Sequence, residues 1–335
     1  MASGDQNAIG VDIGGTKVAA GLVNPRGRIL RTVRKPMVTQ QGAELALQSV
    51  IDAIDELKDA MPTVRGIGIS VPGWVDSRQG VLLSATNLPC WRDYPLAEQL
   101  KRHYKLPTQL ANDANAAALA EAVWGAGEQY RDVFYVSLGT GVGTGMVLDR
   151  RLYSGRTGAA GEGGHTTIDY GGRKCGCGKR GCIEMYASGS AVAQRARELL
   201  SRHGAPKSRI PAMVDGDLAS ISAETVAKAA LAGDELANEL VQEAANYLAI
   251  WLGNMIDLLE PDVIVIGGGF GQAMANFFHH IRSRLGEWVI NPRWQQIPLR
   301  TAMYGWESGL VGAAALCLPR SRLWIVLRKA AYGSD

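Results

Sequence analysis

"AIGVDIGGTKVAAGLVN" (residues 8–24) sets two apolar runs on either side of Gly14-Gly15. Paired apolar runs around a tight glycine turn read as a β-hairpin. A glycine turn after a strand can also expose a concave row of backbone N–H groups, and the missing side chains let phosphate oxygens come close. For one such loop, a plain structural turn is the commoner use. Two more follow β-like runs further on, "LGTGVGTG" (138–145) and "IGGGFG" (266–271). None fits the dinucleotide fingerprint G-x-G-x-x-G with strand and helix in register, and none fits the P-loop. Three such turns at these intervals make the question one of fold.

Outward from the hairpin, "AELALQSVIDAIDELKDA" (43–60) places Leu45, Leu47, Val50, Ile51, Ile54 and Leu57 at helical spacing. "VRGIGISVPGWVD" (64–76) is a strand broken by Pro72-Gly73. "LPTQLANDANAAALAEAVWGAG" (106–127) reads as a short strand, a polar turn and an alanine-rich helix. "DVFYVSLGTGVGTGMVLDRRLY" (132–153) repeats the strand, glycine turn, strand pattern, so the hairpins at 8–23 and 133–148 suggest a duplicated unit. "ELANELVQEAANYLAIWLGNMIDLLE" (235–260) is helical and stopped by Pro261. "DVIVIGGGFG" (262–271) is a buried strand entering a glycine turn, and "ESGLVGAAALCL" (307–318) a small-residue helix. The alternation implies α/β lobes.

Composition narrows the function classes. At 335 residues two lobes are expected. The balance of 35 basic to 32 acidic side chains predicts neither nucleic-acid nor anionic-membrane binding. Glycine, 41 of 335 residues, is roughly 12% against the usual 7%. No apolar stretch reaches the ~18 residues that cross a bilayer, Leu323–Leu327 included. The polar N-terminus is unlike a secretory signal, and five cysteines, an odd number, argue against a disulfide framework. A cytoplasmic location is the expectation.

Three of the cysteines cluster with a histidine as H-x9-C-x-C-x4-C: His165, Cys175, Cys177 and Cys182. A closed Cys3His set is a structural zinc site with no open position for an activated water. A zinc finger would need a basic recognition helix after the last ligand, and Ile183-Glu184-Met185-Tyr186 is not one. Cys175 and Cys177 are one residue apart, so no redox CxxC is present. A structural clip inside a larger protein is the reading that stands. Taken alone, Asn112-Asp113 is equally a helix N-cap, and Glu162 and Glu184 are equally surface charges.

The order DIGGTK, a strand with PG, NDANAAALAE, LGTGVGTG and a late IGGG resembles the sugar kinase, actin and heat-shock ATPase superfamily. Within it, "GEGGHTTIDYGGRKCGCGKRGCIEMYASG" (161–189) is similar to the cysteine-and-histidine consensus of the ROK family of repressors and kinases, and the resemblance spans about residues 8–317. It implies a two-lobed actin-like ATPase fold with a cleft between lobes. Residues 1–118 with 308–335 would form the smaller lobe, and 119–307 the larger one carrying the clip.

It also implies an ATP:hexose 6-phosphotransferase resembling the bacterial glucokinases, with magnesium accompanying ATP and structural zinc. Kinases for N-acetylmannosamine, N-acetylglucosamine or fructose are the alternatives, and a sugar-responsive repressor is another. Repressors of the family carry a helix-turn-helix ahead of the DIGGTK position, where this sequence has eleven residues before Asp12. The partners implied are ATP and a hexose, without nucleic acid or membrane, in a homodimer or homotetramer.

By the same resemblance, Asp12 lies near the magnesium, and Gly14, Gly15, Thr16 and Lys17 form the first phosphate loop. Gly139, Thr140, Gly141 and Gly143 form the second, and Gly267, Gly268 and Gly269 hold adenosine. Asp113 is the base that takes the proton of the sugar hydroxyl. Glu162, His165 and Glu184 face the sugar, with Asn112, the backbone at Gly73, and Asn87. His165 serves both zinc and sugar through its two nitrogens. Gly163 departs from the family, which carries a bulky apolar residue there. That implies a looser backbone and room for a 2-acetamido group. Cys90 and Cys317 read as packing residues.

Overall fold

The computed structural model of the chain describes residues 6–318. The segment after Pro319, to which the sequence assigns no role, lies outside them. Along the chain come β1 (Asn7–Ile13), β2 (Lys17–Val23), β3 (Ile29–Pro36), α1 (Ala43–Asp55), β4 (Val64–Val71), β5 (Trp74–Asp76), β6 (Val81–Ser84) and β7 (Arg92–Tyr94). Then follow α2 (Leu96–Tyr104), β8 (Thr108–Asn112), α3 (Asp113–Trp124), β9 (Val133–Leu138), β10 (Val142–Leu148) and β11 (Arg151–Tyr153). The remainder is α4 (Glu184–Ala187), α5 (Gly189–Leu200), α6 (Ala223–Leu231), α7 (Glu235–Leu259), β12 (Val263–Gly267), α8 (Gly269–Met274), α9 (Phe278–Leu285), β13 (Leu299–Thr301) and α10 (Ser308–Leu316).

Two five-stranded sheets share one strand order. The first is β3-β2-β1-β4-β8 and the second β11-β10-β9-β12-β13. In each, the outer hairpin strands pair antiparallel and the far strands pair parallel. The hairpins at 8–23 and 133–148 occupy equivalent places in the two sheets, as a duplicated unit requires. A small antiparallel sheet, β5-β6-β7, branches off after Pro72-Gly73.

The chain groups into two compact units. Of the described residues, one comprises those up to Tyr135, Gly145–Gly161 and those from Trp306 to Leu318; the other comprises Val136–Thr144 and Glu162–Gly305. In the first, α10 lies against β1 and β4 at backbone contact. A Cβ at Gly10 would run into the carbonyl of Leu310, and one at Gly68 into that of Ala313. Glycine is needed in these strands because a helix backbone occupies the side-chain position.

The core face of α1 runs through Ala46, Val50, Ala53 and Ile54, with Leu57 buried just beyond the helix. Leu45, expected on that face, is 47% exposed; it lies one residue, about 100°, off the buried stripe. The strand β8 passes into α3 at Asn112-Asp113 with no intervening turn.

In the second unit, α7 is capped by Asp234, whose carboxylate accepts the Ala237 N–H at 2.8 Å. It ends at Glu260, φ +42°, one residue before Pro261. Leu240, Leu248, Trp251 and Leu252 bury its inner face. Among the described residues no helix is long and apolar enough to cross a membrane.

Candidate active site

The predicted residues fall into two groups, one in each unit. In the first, β1, β4 and β8 run parallel, with Asp12 opposite Ser70 and Ser70 opposite Ala111. Asp12 and Asp113 therefore leave the same carboxyl edge, from strands β1 and β8 that lie two strand spacings, about 10 Å, apart. That edge is where α/β sheets hold ligands. The Ser70 hydroxyl donates to Asp12 Oδ1 at 2.8 Å. Burial pushes the Asp12 carboxyl above the usual carboxylate range, with the Ser70 hydrogen bond and the Lys17 charge opposing it. Gly309, in the first turn of α10, abuts the carboxyl: a Cβ there would stand 2.6 Å from Oδ1.

The first glycine turn is closed by the Gly14 N–H donating to the Lys17 carbonyl at 2.9 Å. Neither Gly14 nor Gly15 has a positive φ. Close approach explains Gly15, whose Cβ would stand 2.8 Å from the Asn87 carbonyl oxygen. Asn87 thus sits beside this turn, and Thr16 and Lys17 are exposed.

The cap and the candidate base are separate residues. Asn112 Oδ1 accepts the N–H groups of Ala114 at 2.9 Å and Asn115 at 3.3 Å, which makes it the N-cap of α3. Its Nδ2 donates to the Gly73 carbonyl at 3.0 Å. Two residues expected to contact a sugar are therefore bonded to each other. Gly73 has φ +88°, and a Cβ would strike the Ser84 carbonyl. Asp113 is exposed at the first position of α3, with Oδ1 accepting the Ala114 N–H at 2.8 Å.

In the second unit the other two glycine turns come together. Gly268, φ +83°, presses on the carbonyl of Leu138, the residue that leads into Gly139. The Gly139 carbonyl accepts the Gly189 N–H at 2.7 Å. Among the described residues, none beyond its two chain neighbours comes within 4 Å of where a Cβ at Gly139 would stand, and Thr140 is exposed. Gly143 is partly buried between Val142 and Thr144; Gly267 ends β12 and Gly269 opens α8.

The four ligand atoms of His165, Cys175, Cys177 and Cys182 lie within 4.8 Å of one another. Cys177 Sγ is 3.7 Å from Cys182 Sγ, and Cys175 Sγ is 3.6 Å from His165 Nδ1. A tetrahedral zinc with Zn–S of ~2.3 Å and Zn–N of ~2.0 Å has edges of about 3.8 Å and 3.5 Å. The donors fit that ion. Two turns shape the loop, with Gly178 at φ +93° and Gly181 at φ +70°. The Lys179 ammonium donates to the His165 carbonyl at 2.6 Å. Because Nδ1 faces the sulfurs, Nε2 is the nitrogen left for other contacts.

Glu162, His165 and Glu184 share one electrostatic environment. Partial burial raises the Glu162 carboxyl above its usual range, His165 opposes this and Glu184 adds to it. Glu184 Oε1 lies 3.9 Å from His165 Nδ1. The room expected at Gly163 is absent. A Cβ there would stand 2.7 Å from Thr144 Oγ1 and 3.3 Å from Trp251 Cζ2. The Gly163 N–H donates to Thr144 Oγ1 at 3.0 Å, and the Thr166 hydroxyl donates to the Gly163 carbonyl at 2.7 Å while accepting the Trp251 indole N–H at 2.8 Å. The backbone is pinned, not loosened. Sequence reading missed Trp251, Thr144 and Ser70. A lone serine in the apolar run of β4 was a usable signal for Ser70; Trp251, 85 residues from Thr166, had no local one.

Comparison with known proteins identifies the family. Residues 8–320 match the ROK family. The glucokinase of Streptomyces coelicolor is 33% identical over 92% of this chain and 96% of its own. The N-acetylmannosamine kinase of Citrobacter koseri is 33% identical over 92% and 98%, and a putative xylose repressor of Caldicellulosiruptor is 34% identical over 82% and 72%. The crystal structure of a ROK family glucokinase from Streptomyces griseus in complex with glucose and AMPPNP superposes with a TM-score of 0.77 at 35% identity, covering 92% of this chain and 98% of that one. With the family matched over residues 8–320 and relatives about one-third identical over nearly its whole length, the chain belongs to the ROK family.

Proposed function

We propose that the chain is an ATP-dependent sugar kinase that phosphorylates a hexose, D-glucose, at its 6-hydroxyl. The observation that carries the reading is the division of labour at the start of α3. Asn112 caps the helix, and Asp113, exposed at the first position of α3, stands at the carboxyl edge of the sheet. In the reaction the 6-hydroxyl oxygen attacks the γ-phosphorus as the bond to the β-bridging oxygen breaks. ADP leaves with that electron pair, and Asp113 takes the hydroxyl proton. Phosphoryl transfer asks mainly for in-line positioning and charge stabilisation. The backbone at Gly14–Lys17, Gly139–Gly143 and Gly267–Gly269 would hold the nucleotide. Magnesium bound with ATP would screen phosphate charge, and Asp12 offers the hard oxygen donor such an ion takes.

Glu162, Glu184 and His165 Nε2 would read the ring hydroxyls, with the zinc clip fixing the last two. Gly163 offers no added volume, because Thr144 and Trp251 fill the space beside it, and this favours glucose over a 2-acetamido sugar. The N-acetylmannosamine kinase at equal identity supports the second reading. The deciding experiment measures kcat/KM for glucose, N-acetylglucosamine, N-acetylmannosamine and fructose by coupled ADP release with excess Mg-ATP. Glucose is expected to give the highest value. A win for another sugar overturns the substrate and leaves the kinase; sugar binding with no ADP release overturns the kinase.

A further inference from the structure

Glu184 opens α4 with its carboxylate between two structures of the second unit. Oε2 accepts the backbone N–H of Val142 at 3.0 Å, inside the run Gly139–Gly143. Oε1 lies 3.9 Å from His165 Nδ1 and 4.0 Å from Cys175 Sγ, both in the clip. Gly141 is fitted around the same group, because a Cβ there would run into Glu184 Oε2. A carboxylate has about four lone-pair sites, so the bond to Val142 leaves capacity for a sugar hydroxyl.

We propose that Glu184 is a positioning residue for the second glycine loop, and that it makes the affinities for nucleotide and sugar interdependent. The proposal rests on the kinase reading, in which this loop holds phosphate and Glu184 meets the sugar. A charge-assisted hydrogen bond to Val142 fixes the backbone between Gly141 and Gly143. A hydroxyl donating to Glu184 changes where that carboxylate rests, and the loop follows. A nucleotide that holds the loop then acts back on the sugar by the same factor, because linkage between binding sites is reciprocal.

The test measures AMPPNP-Mg affinity without sugar, and glucose affinity without nucleotide, in wild type, Glu184→Ala, Glu184→Gln and Gly141→Ala. Glu184→Ala is expected to bind AMPPNP about tenfold more weakly although no sugar is present, within the usual range of coupling between sites. Glu184→Gln, whose amide oxygen still accepts from Val142, should bind AMPPNP close to wild type while glucose weakens. Gly141→Ala should weaken glucose about tenfold, an effect that a purely phosphate-holding glycine would not have. Zinc content and melting temperature are recorded for each. If Glu184→Ala loses zinc or its fold, Gly141→Ala carries the test, since it leaves every clip residue in place. Unchanged AMPPNP affinity in folded Glu184→Ala, or unchanged glucose affinity in Gly141→Ala, overturns the coupling and leaves the kinase standing. Wild type that binds neither AMPPNP nor any sugar overturns the kinase reading beneath it.

Discussion

A helix whose first residue is the proposed base needs another residue to cap it, and α3 has Asn112 for that purpose. The two residues should therefore separate in their effects. Asp113→Asn is expected to keep the melting temperature while turnover falls by roughly 10² to 10⁴, the span of a lost general base. Asn112→Ala should cost about 0.5–2 kcal/mol of stability through the lost cap and free the Gly73 carbonyl it holds. Steady-state kinetics beside thermal melts checks both, and near-wild-type turnover in Asp113→Asn would show that the base lies elsewhere. Asp12 presents a different balance. Its carboxyl titrates above the unfolded value because burial penalises the charge, so the cost of ionising it is absent at low pH and fully present above its folded pKa. Asp12→Asn keeps an acceptor for Ser70 and removes that cost. Its melting temperature should equal or exceed wild type, with an advantage that grows from about pH 4 upward, while Mg-ATP use collapses. An advantage that grows toward acid instead would contradict the assignment. Sequence alone left Asn112-Asp113 open because cap and base draw on the same side chains; hydrogen-bond partners settle which residue is the cap.

The clip between His165 and Cys182 was the most legible element, since metal ligands must be particular residues at short spacing. What it holds in place was less so. Its turns depend on Gly178 and Gly181, yet the contact that ties it to the glycine loop runs from a carboxylate to a backbone N–H, and any residue can supply the latter. One tightly bound zinc per chain is expected by metal analysis of the purified protein. Cys182→Ala should lower zinc affinity and weaken sugar binding together, because Glu184 lies two residues beyond the lost ligand. Zinc-free protein with full sugar affinity would rule out the clip as an organiser of the site. Helix α1 shows the opposite kind of legibility. Its period was visible, but Leu45 turned outward because small Ala46 and Ala53, not the largest apolar residues, line the face against the sheet. At Gly163 a missing side chain suggested space, and a tryptophan from α7 occupies it. Contacts across many residues of sequence leave no local pattern to read.

At the scale of the molecule, the α/β class was readable from the alternation of strands and helices, and the repeat from the two glycine-turn hairpins, because β1 and β9 hold the same place in their sheets. The pairing of β13 with β12, and the separate sheet β5-β6-β7, were not, since strands of three or four residues carry too little alternation to identify. The first unit is also discontinuous: its sheet begins at Asn7, and the helix packed on β1 and β4 is α10, at Ser308–Leu316. A ribosome adding about 5–20 residues per second therefore leaves roughly 15–60 s between making β1 and making the helix that covers it. During that interval the strip at Gly10 and Gly68 stays bare, while every segment of the second unit, Val136–Thr144 and Glu162–Gly305, has already been made. A chain ending at Gly305 should accordingly lose protease protection in residues 7–135 and keep it in 162–305, as limited proteolysis with mass mapping would report; equal protection in both would contradict this. Damage to the codons of α10 would thus be felt first in β1 and β4, made long before it.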